Sequence, residues 1–471
     1  MVNRLLQAVP SLLLAASVQA QPLPAAPAAD PVLAELIRES LARRPELRQA
    51  DALVSAERER VPQAGAWQDP VLSLGLQNDG FNGLQIGTMP TSYWQVMVSQ
   101  PLPWPGKLGL RSDVASTGVR IAEASLARAR LTAEADVRRA YLDLLLARDR
   151  LALLTRLQAL WQKAEGLARA RYETGEGSQS DLLRAQLERN RLRQRRWALE
   201  AEERTRVQAI NRLRAHPLDE PLTTTASVAS RPLPVLPGAE AALADAERRS
   251  PELLVARLQA ERAAQQVAVA RRDRYPDLAV TAAIMPRGSL EPMWLAGVSM
   301  TLPIFSGSKQ SRLVAESEAR AASSDGGAET VLQVLHLRVR DRLAQLANLL
   351  ESATLYREGL IIQSQATADS TLGQYRVGRV TFASVLEAIA GVIDDEDGHL
   401  QTVAAAERLA IAADEVSLEP AGGGAGGLSS GSIPGTGATG GPGGGASATA
   451  GAAASGGGDA GASSSSSMNK M

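Results

Sequence analysis

Cysteine is absent from this 471-residue chain, and its three histidines, His216, His336 and His399, lie far apart. A chain without cysteine has no disulfides, thiolate metal sites or catalytic thiols, and no cysteine that could carry a lipid after a secretion signal. Scattered histidines give no ligand spacing for a metal centre. The sequence therefore predicts no catalytic residues, no metal site and no cofactor.

Aromatic residues are also scarce, at 3% of the chain, and neither sign of charge dominates, since 50 basic residues face 51 acidic ones. With few aromatics and much Leu, Ala, Arg and Glu, the composition is typical of long packed helices rather than a compact core. Without a basic excess, nucleic acid is not predicted as a partner.

Long apolar runs are missing everywhere except near the start. Residues 1–20 carry an early cation, Arg4, an apolar run up to Val18 and a small-residue site ending at Ala20. This pattern predicts a cleaved secretion signal, because the run is too short to span a membrane. The mature chain is expected to be exported, and any crossing of a membrane would need β-strands.

The chain contains an internal duplication, which is clearest at two Tyr-x-x-Gly motifs. Tyr172 and Gly175 match Tyr375 and Gly378 at a spacing of 203 residues. Each motif ends a long helical pattern and precedes a second one, as at the tip of a helical hairpin closed by a left-handed glycine. The predicted organisation is a first repeat over 21–237, a second repeat over 238–419, and a Gly/Ser/Ala-rich tail over 420–471 expected to be disordered.

The longest predicted helix runs from Leu108 to about Arg171, with small and apolar residues recurring at steps of three and four. At 1.5 Å per residue it would span roughly 95 Å. Its counterpart over 309–374 contains Ser323-Ser324-Asp325-Gly326-Gly327, where a kink or irregular turn is expected.

Each repeat also contains one predicted β-hairpin with strands of about ten residues, a length that can cross a bilayer at a tilt. Apolar and polar residues alternate along these strands, which predicts two faces in different solvents. The residues expected to face lipid are Leu72, Leu74, Leu76, Trp94, Val96, Val98, Trp294 and Val298, with both tryptophans near an interface belt. Those expected to face water are Ser73, Gln77, Gln95, Ser299 and Thr301.

Four strands are too few for a membrane sheet made by one chain, since an open sheet has two unsatisfied edges in lipid and closed barrels begin at about eight strands. The strands must therefore be shared between chains. Three chains would give twelve strands and two would give eight, and the residues alone allow either.

The paired tips, the duplicated Pro-Glu-Leu helix starts at Pro45 and Pro251, and the Asp69-to-Gly75 strand entry resemble the TolC-type outer-membrane efflux family over roughly residues 30–417. The strand exit from Gln100 to Lys107 is similar to that of members serving heavy-metal cation efflux. The resemblance implies a mostly α, α+β fold: a homotrimer with a 12-stranded barrel in the outer membrane and a long α-helical barrel in the periplasm. Its implied partners are a periplasmic adaptor protein, an inner-membrane pump and outer-membrane lipid. The missing lipidated cysteine and the long glycine-rich tail depart from the family pattern.

The resemblance also implies roles at the tips. Tyr172, Gly175, Tyr375 and Gly378 match the family's adaptor-docking tips, although helix capping explains the glycines equally well. Gate residues are expected just beyond the tips, where Glu387 would favour cations and Ser384 replaces a second acidic side chain. Asp181 with Arg376 or Arg379 is expected to hold the mouth closed, whereas solvated surface charge is the plainer interpretation of all these groups.

Other functions remain open at this point. A periplasmic coiled-coil adaptor is less favoured, because it would need one hairpin and no membrane-length strands. An enzyme is less favoured still, because no nucleophile, metal or phosphate-binding arrangement occurs. The cargo is not encoded in these motifs: heavy-metal efflux, drug efflux and type I protein secretion all use such a duct.

Overall fold

The computed structural model describes residues 30–420. The predicted signal over 1–20 and nearly all of the predicted tail over 420–471 lie outside the described residues. Within residues 30–420, no helix combines the length and apolar character needed to cross a membrane.

The order of elements repeats once, as two short helices, a β-hairpin, a very long helix and a return helix. The first set comprises α1 (Pro31–Arg43), α2 (Pro45–Gly65), β1 (Val71–Gln77), β2 (Tyr93–Leu102), α3 (Lys107–Glu173) and α4 (Gln179–Leu213). The second comprises α5 (Ala239–Arg249), α6 (Pro251–Arg272), β3 (Leu278–Arg287), β4 (Leu290–Met300), α7 (Gln310–Leu355), a π-helical turn (Tyr356–Leu360), α8 (Ile361–Arg376) and α9 (Phe382–Asp414). This order follows the predicted duplication, while the exact repeat boundaries stay predictions.

Proline and capping residues set most of these helix starts, as the sequence indicated. Asp30 accepts a hydrogen bond from the Val32 amide before α1, and Ser250 accepts one from the Leu253 amide before α6. Pro31, Pro45 and Pro251 then occupy the first helical turns, where the missing N–H costs nothing.

The expected kink at Ser323–Gly327 is wrong, because α7 continues through it as regular helix. The segment has no proline, and a glycine costs a helix only about 1 kcal/mol relative to alanine. Ser324 and Thr330 donate their hydroxyls to the carbonyls of Arg320 and Gly326, which keeps the local polar groups bonded within the helix. The irregularity lies instead at the π-helical turn, where Tyr356 packs against Gly398 of α9.

Towards the tips, four helices lie side by side in the order α4, α3, α9, α8, since α3 packs against both α4 and α9, and α9 packs against α8, the short helix that continues α7 beyond the π-helical turn. Their shared apolar core includes Trp161, Leu192, Leu372 and Val392. A second core joins α1 to the middle of α3 and the end of α4 around Tyr141 and Ile210. Within the described chain, α4 and α8 are therefore the flanks of the layer.

The two return helices end in the same backbone geometry. Ala215 after α4 and Val416 after α9 have φ of 56° and 52°, in the left-handed region that non-glycine residues rarely adopt. In each case the next amide bonds back five residues, from His216 to Asn211 at 2.9 Å and from Ser417 to Ala412 at 3.2 Å. This is a helix-terminating motif that usually uses glycine.

The strands form one antiparallel sheet in the order β1, β2, β3, β4, so the two hairpins pair with each other through β2 and β3. β1 has 7 residues and is shorter than expected, whereas β2, β3 and β4 have 10, 10 and 11. The outer edges of β1 and β4 have no strand partner among residues 30–420.

Candidate functional site

The sheet has one apolar face, which its register defines. Leu72, Leu74 and Leu76 lie opposite Val98, Val96 and Trp94, and directly opposed residues share a face. The same row continues through Val96 opposite Ile284 and Ile284 opposite Trp294. All eight residues expected to face lipid therefore lie on one side of the sheet, and each is exposed in the single chain. An exposed apolar surface of this extent is typical of an interaction surface.

The opposite face is mixed, because it carries the predicted polar residues together with Met97, Met285, Met293 and Leu295. Ser73, Gln77, Gln95 and Ser299 lie there, and Thr301 follows just beyond β4, where its amide donates to the Asp277 carbonyl at 3.0 Å. The structure thus separates the two predicted sets onto opposite faces. Which solvent each face contacts stays a prediction.

At the far end of the helices, both Tyr-x-x-Gly motifs close their helices with a left-handed glycine. Gly175 and Gly378 each have φ of 77°, and their amides donate to the carbonyls of Tyr172 and Tyr375. The following helices begin at capping hydroxyls, with Ser178 accepting from the Ser180 amide and Thr381 from the Ser384 amide. Helix capping is therefore a role of both glycines.

The two tips are joined inside one chain by a group of side chains that we call the tip joint: Arg171, Asp181, Tyr375 and Phe382. Arg171 donates to the Tyr375 carbonyl at 2.6 Å and to the Glu176 carbonyl at 3.2 Å. Its guanidinium lies 5.0 Å from the Tyr375 ring centre, within cation–π range. The Tyr375 ring also packs on Phe382, with centroids 5.3 Å apart.

Tyr375 also bonds the first return helix, since its hydroxyl donates to the Asp181 carboxylate at 3.2 Å. Burial, followed by the negative charge of Asp181 and this hydrogen bond, raises the pKa of Tyr375 to about 12. The phenol therefore remains protonated at physiological pH and keeps its donor role. One arginine and one tyrosine thus link the first hairpin tip to the second.

The matched tyrosines differ in their surroundings. Tyr172 is 44% exposed and lies at the surface of the first tip, whereas Tyr375 is 2% exposed and lies inside the joint. In this conformation only Tyr172 can present its side chain to another protein. A β-carbon on Gly175 would meet open space, but one on Gly378 would lie 3.1 Å from Arg171 Nη2.

The remaining expected gate residues stay apart from the joint. Arg376, Arg379 and Glu387 are exposed, and none of them makes an ion pair within residues 30–420. Ser384 takes part in the α9 cap. Within one chain Asp181 pairs with Tyr375 and not with either arginine, so the expected salt bridges stay a prediction for contacts between chains.

Arg171 was missed by sequence reasoning, although a weak signal existed. Its matched position in the second repeat is Gln374, so the first tip has Arg-Tyr where the otherwise similar second tip has Gln-Tyr. Such an asymmetry indicates that Arg171 has a role in the first repeat that Gln374 does not share in the second. Nothing in the sequence, however, predicts that Arg171 contacts Tyr375.

A family model described as "Outer membrane efflux protein" matches residues 36–216 and 242–443. The nickel and cobalt resistance protein CnrC of Cupriavidus metallidurans is 28% identical over 278 residues, which cover 58% of this chain and 64% of that relative. Among solved structures, the outer-membrane channel OprN superposes with a TM-score of 0.70 at 21% identity, covering 82% of this chain and 90% of OprN. CusC superposes with a TM-score of 0.71 at 19% identity, covering 82% and 92%. At these identities the two structures establish a common fold.

Proposed function

Because this chain belongs to the outer membrane efflux protein family, we propose that it is the passive exit duct of a tripartite efflux system. Its location is the outer membrane, with the helical part in the periplasm. The observation that carries the proposal is a single chain with an apolar sheet face at one end and two linked helical tips at the other. The proposed role is transport, without catalysis or a cofactor.

The proposed assembly is a homotrimer with a shared 12-stranded barrel. The unpaired outer edges of β1 and β4 support sharing, because an open strand edge in lipid leaves backbone amides without partners. The free flanks α4 and α8 support the same head-to-tail arrangement in the helical part. Native mass measurement of the detergent-purified protein tests the number, and a monomer or dimer would contradict it.

The proposed partners are a periplasmic adaptor at the tips and an inner-membrane pump behind it. The exposed Tyr172 and the open space beside Gly175 support adaptor docking at the first tip, because a small residue lets another helix approach the backbone closely. At the second tip, Gly378 offers the corresponding surface, while Tyr375 acts within the joint.

Heavy-metal cations are the proposed cargo. The support is the similarity to a protein named for nickel and cobalt resistance, together with the exposed Glu387 near the tip, since a ring of carboxylates in a narrow mouth attracts cations. Deleting the gene should raise cellular nickel and cobalt and lower the tolerated concentration of both. Increased sensitivity to drugs alone, or loss of a secreted protein alone, would instead favour the two alternative cargoes.

The membrane face can be tested with two neighbouring residues of β2. Val96→Arg should cost about 2 to 4 kcal/mol if the apolar face contacts mid-bilayer lipid. Gln95→Arg is the matched control, because Gln95 lies on the opposite face. Yield of heat-resistant oligomer in the outer membrane measures both, and the reverse ranking would overturn the face assignment.

A further inference from the structure

At the helical end of the sheet, the two repeats of one chain meet in a group of charges that we call the ionic junction: Lys107, Asp273 and Asp277. Lys107 follows the exit of β2, and its side chain is 3% exposed. Its ammonium lies 2.9 Å from Asp277 Oδ1 and 3.6 Å from Asp273 Oδ1, between the end of α6 and the start of β3. Asp277 also accepts a hydrogen bond from the Trp104 amide at 2.8 Å. The ionic junction therefore fixes the exit of the first hairpin to the entry of the second.

The matched positions at the outer edges of the sheet have lost all three charges. Strand exits match at a spacing of 200 residues and strand entries at 206, which pairs Lys107 with Gly307, Asp273 with Trp67 and Asp277 with Val71. A buried ion is stable only with its partner, so ions that meet in a contact are lost together. Positions that face water separately have no reason to change as a set. The joint replacement therefore indicates that the exit of β4 and the entry of β1 also meet.

One chain does not bring these two ends together, because β1 and β4 are the outer strands of the sheet. Trp67 and Val71, at the entry of β1, are 66% and 55% exposed. Ile304 and Phe305, at the exit of β4, are 76% and 68% exposed. An exposed apolar surface of this kind is typical of an interaction site. Since the exit and the entry belong to opposite edges of one sheet, the partner that completes both is a second copy of the chain.

The duplication also gives the register in which two copies would pair. Within the chain, the register of β2 on β3 sets Val98 opposite Ala282, Gln100 opposite Val280 and Leu102 opposite Leu278. The same two spacings convert these pairs into Val298 with Leu76, Met300 with Leu74 and Leu302 with Leu72.

The converted pairs pass a test that did not enter the conversion. Directly opposed residues must share a face of the sheet, and a shift of one residue would turn one strand over. Val298 and Leu76 both lie on the apolar face, and Met300 and Leu74 follow them at steps of two. All four are exposed in the single chain. The two edge strands can therefore continue one sheet across the interface with the same side apolar.

We propose that the exit of β4 and the entry of β1 form an apolar junction between neighbouring copies of the chain, in which Trp67 of the partner subunit packs over Gly307. There β4 pairs with the partner's β1 in the register that sets Val298 opposite Leu76 of the partner subunit. Ionic and apolar junctions then alternate around the assembly. The alternation selects the correct edges, because a β2 exit joined to the β1 entry of another copy would set Lys107 against apolar side chains in place of its two carboxylates. This inference rests on the proposed shared barrel and adds its register and its chemistry.

Since the chain contains no cysteine, paired cysteines test the register in the full-length protein in outer membranes. Directly opposed residues have β-carbons about 4.5 to 5.5 Å apart, near the separation that a disulfide needs. After oxidation, Val298→Cys with Leu76→Cys should therefore give covalent dimers and trimers on denaturing gels. Val98→Cys with Ala282→Cys, the matched pair within one chain, should leave the chain monomeric on the same gels. Val298→Cys with Leu72→Cys, which is four residues out of register, should not link.

A second measurement tests the apolar junction itself. A β-carbon at Gly307 would meet open space in the single chain, so Gly307→Lys should not disturb the fold of one copy. It should lower the yield of oligomer about tenfold or more, because it places an ammonium in an apolar contact. Adding Val71→Asp supplies a carboxylate at the position that matches Asp277 and should recover the yield.

An intact trimer in which Val298→Cys fails to link with Leu76→Cys, or links with Leu72→Cys instead, would overturn the register. An unchanged yield in Gly307→Lys, or a loss that Val71→Asp does not recover, would overturn the apolar junction. In both cases the proposed duct would stand, since the unmodified protein would still form a trimer by native mass measurement. A monomeric unmodified protein would refute the proposed trimer and this inference together.

Discussion

The two repeats of this chain share a backbone plan but have exchanged charges at matched positions. Where the return helices end, Arg214 of the first repeat and Glu415 of the second are both buried, each next to a left-handed residue. Arg214 forms ion pairs with Glu220 at 2.9 Å and Glu39 at 3.2 Å, whereas Glu415 forms ion pairs with Arg139 at 2.5 Å and Arg128 at 3.1 Å. After the tips, Arg184 matches Glu387 in the same way. A duplicated fold thus preserves the place of a buried ion, while its sign follows the partners that surround it.

The largest effect is expected from neutralising the buried ions at the ends of the two return helices, Glu415 and Arg214. Glu415→Gln removes the buried carboxylate that Arg128 and Arg139 share and leaves them only Glu252 and Asp136. This should cost about 3 kcal/mol, at the low end for a broken buried pair because Arg139 is partly exposed and both arginines keep a second partner. Arg214→Gln should cost less, about 2 kcal/mol, because its partner Glu220 is more exposed. Thermal denaturation of the purified protein measures both. Arg138→Gln, whose partner Asp414 is exposed, is the control, and equal losses in all three variants would contradict the ranking.

The second largest effect is expected at the tip joint, where the arginine comes from the first repeat and the matched position of the second repeat is Gln374. Arg171→Gln copies the residue at the matched position and removes both the charged hydrogen bond and the cation–π contact with Tyr375. Charge-assisted hydrogen bonds contribute about 1.5 to 3 kcal/mol, so the link between the two tips should break more readily. Single-channel conductance in planar bilayers should rise. Gln374→Ala, at the matched position, should leave conductance unchanged. If Arg171→Gln also left conductance unchanged, the tip joint would have no role in gating.

The two tip glycines should separate docking from closure. Asparagine adds bulk yet tolerates the left-handed backbone, so Gly175→Asn and Gly378→Asn keep the caps. Both should weaken adaptor binding, but only Gly378→Asn should also raise conductance, because its β-carbon would lie 3.1 Å from Arg171 Nη2 and push the guanidinium out of its present position. Adaptor capture and conductance are measured on the same preparations. Loss of the oligomer in either variant would support capping as the sole role.

A smaller effect is expected from Tyr375→Phe, which removes one neutral-donor hydrogen bond worth about 1 kcal/mol. Because the folded pKa of Tyr375 is raised to about 12 from the ordinary value near 10, its stabilising contribution is complete below pH 10. That contribution is lost as the pH approaches 12. Conductance of the unmodified protein should therefore rise in this alkaline window. If the phenylalanine variant showed the same rise, another group would be responsible.

The smallest change is expected at Glu387, where the first repeat has Arg184 at the matched position. Glu387→Gln should leave stability and conductance nearly unchanged and reduce only the preference for cations, because Glu387 is exposed and unpaired within residues 30–420. Reversal potentials in a salt gradient measure the preference. Arg184→Gln provides the matched control, and unchanged selectivity in the glutamate variant would exclude Glu387 from the mouth.

Sequence patterns were sufficient where a single local rule decides the structure. Proline at the helix starts, alternation in Leu72, Leu74 and Leu76, and glycine at the two tips each predicted an element that the structure contains. Relations across the duplication were harder. Arg171 and Tyr375 are 204 residues apart, and Arg128 and Glu415 are 287 apart, so their pairing depends on how the long helices pack. The Ser-Gly run in α7 misled because serine and glycine only weaken a helix, by about 1 kcal/mol for a glycine, and the run contains no proline that would break it.

The π-helical turn has a consequence for the alignment of the second tip. Ala353 and Ala368 are both buried and stand 15 residues apart, one more than two heptads. A turn with hydrogen bonds five residues apart takes up that surplus residue and returns Ala368, Leu372 and Tyr375 to the face that α9 covers. In a regular α-helix the same sequence would rotate Tyr375 away from Asp181. The π-helical turn therefore corrects the phase of the helix 15 to 19 residues before Tyr375, which depends on it. Deleting one residue within Tyr356–Leu360 should disconnect the two tips without changing a residue in either.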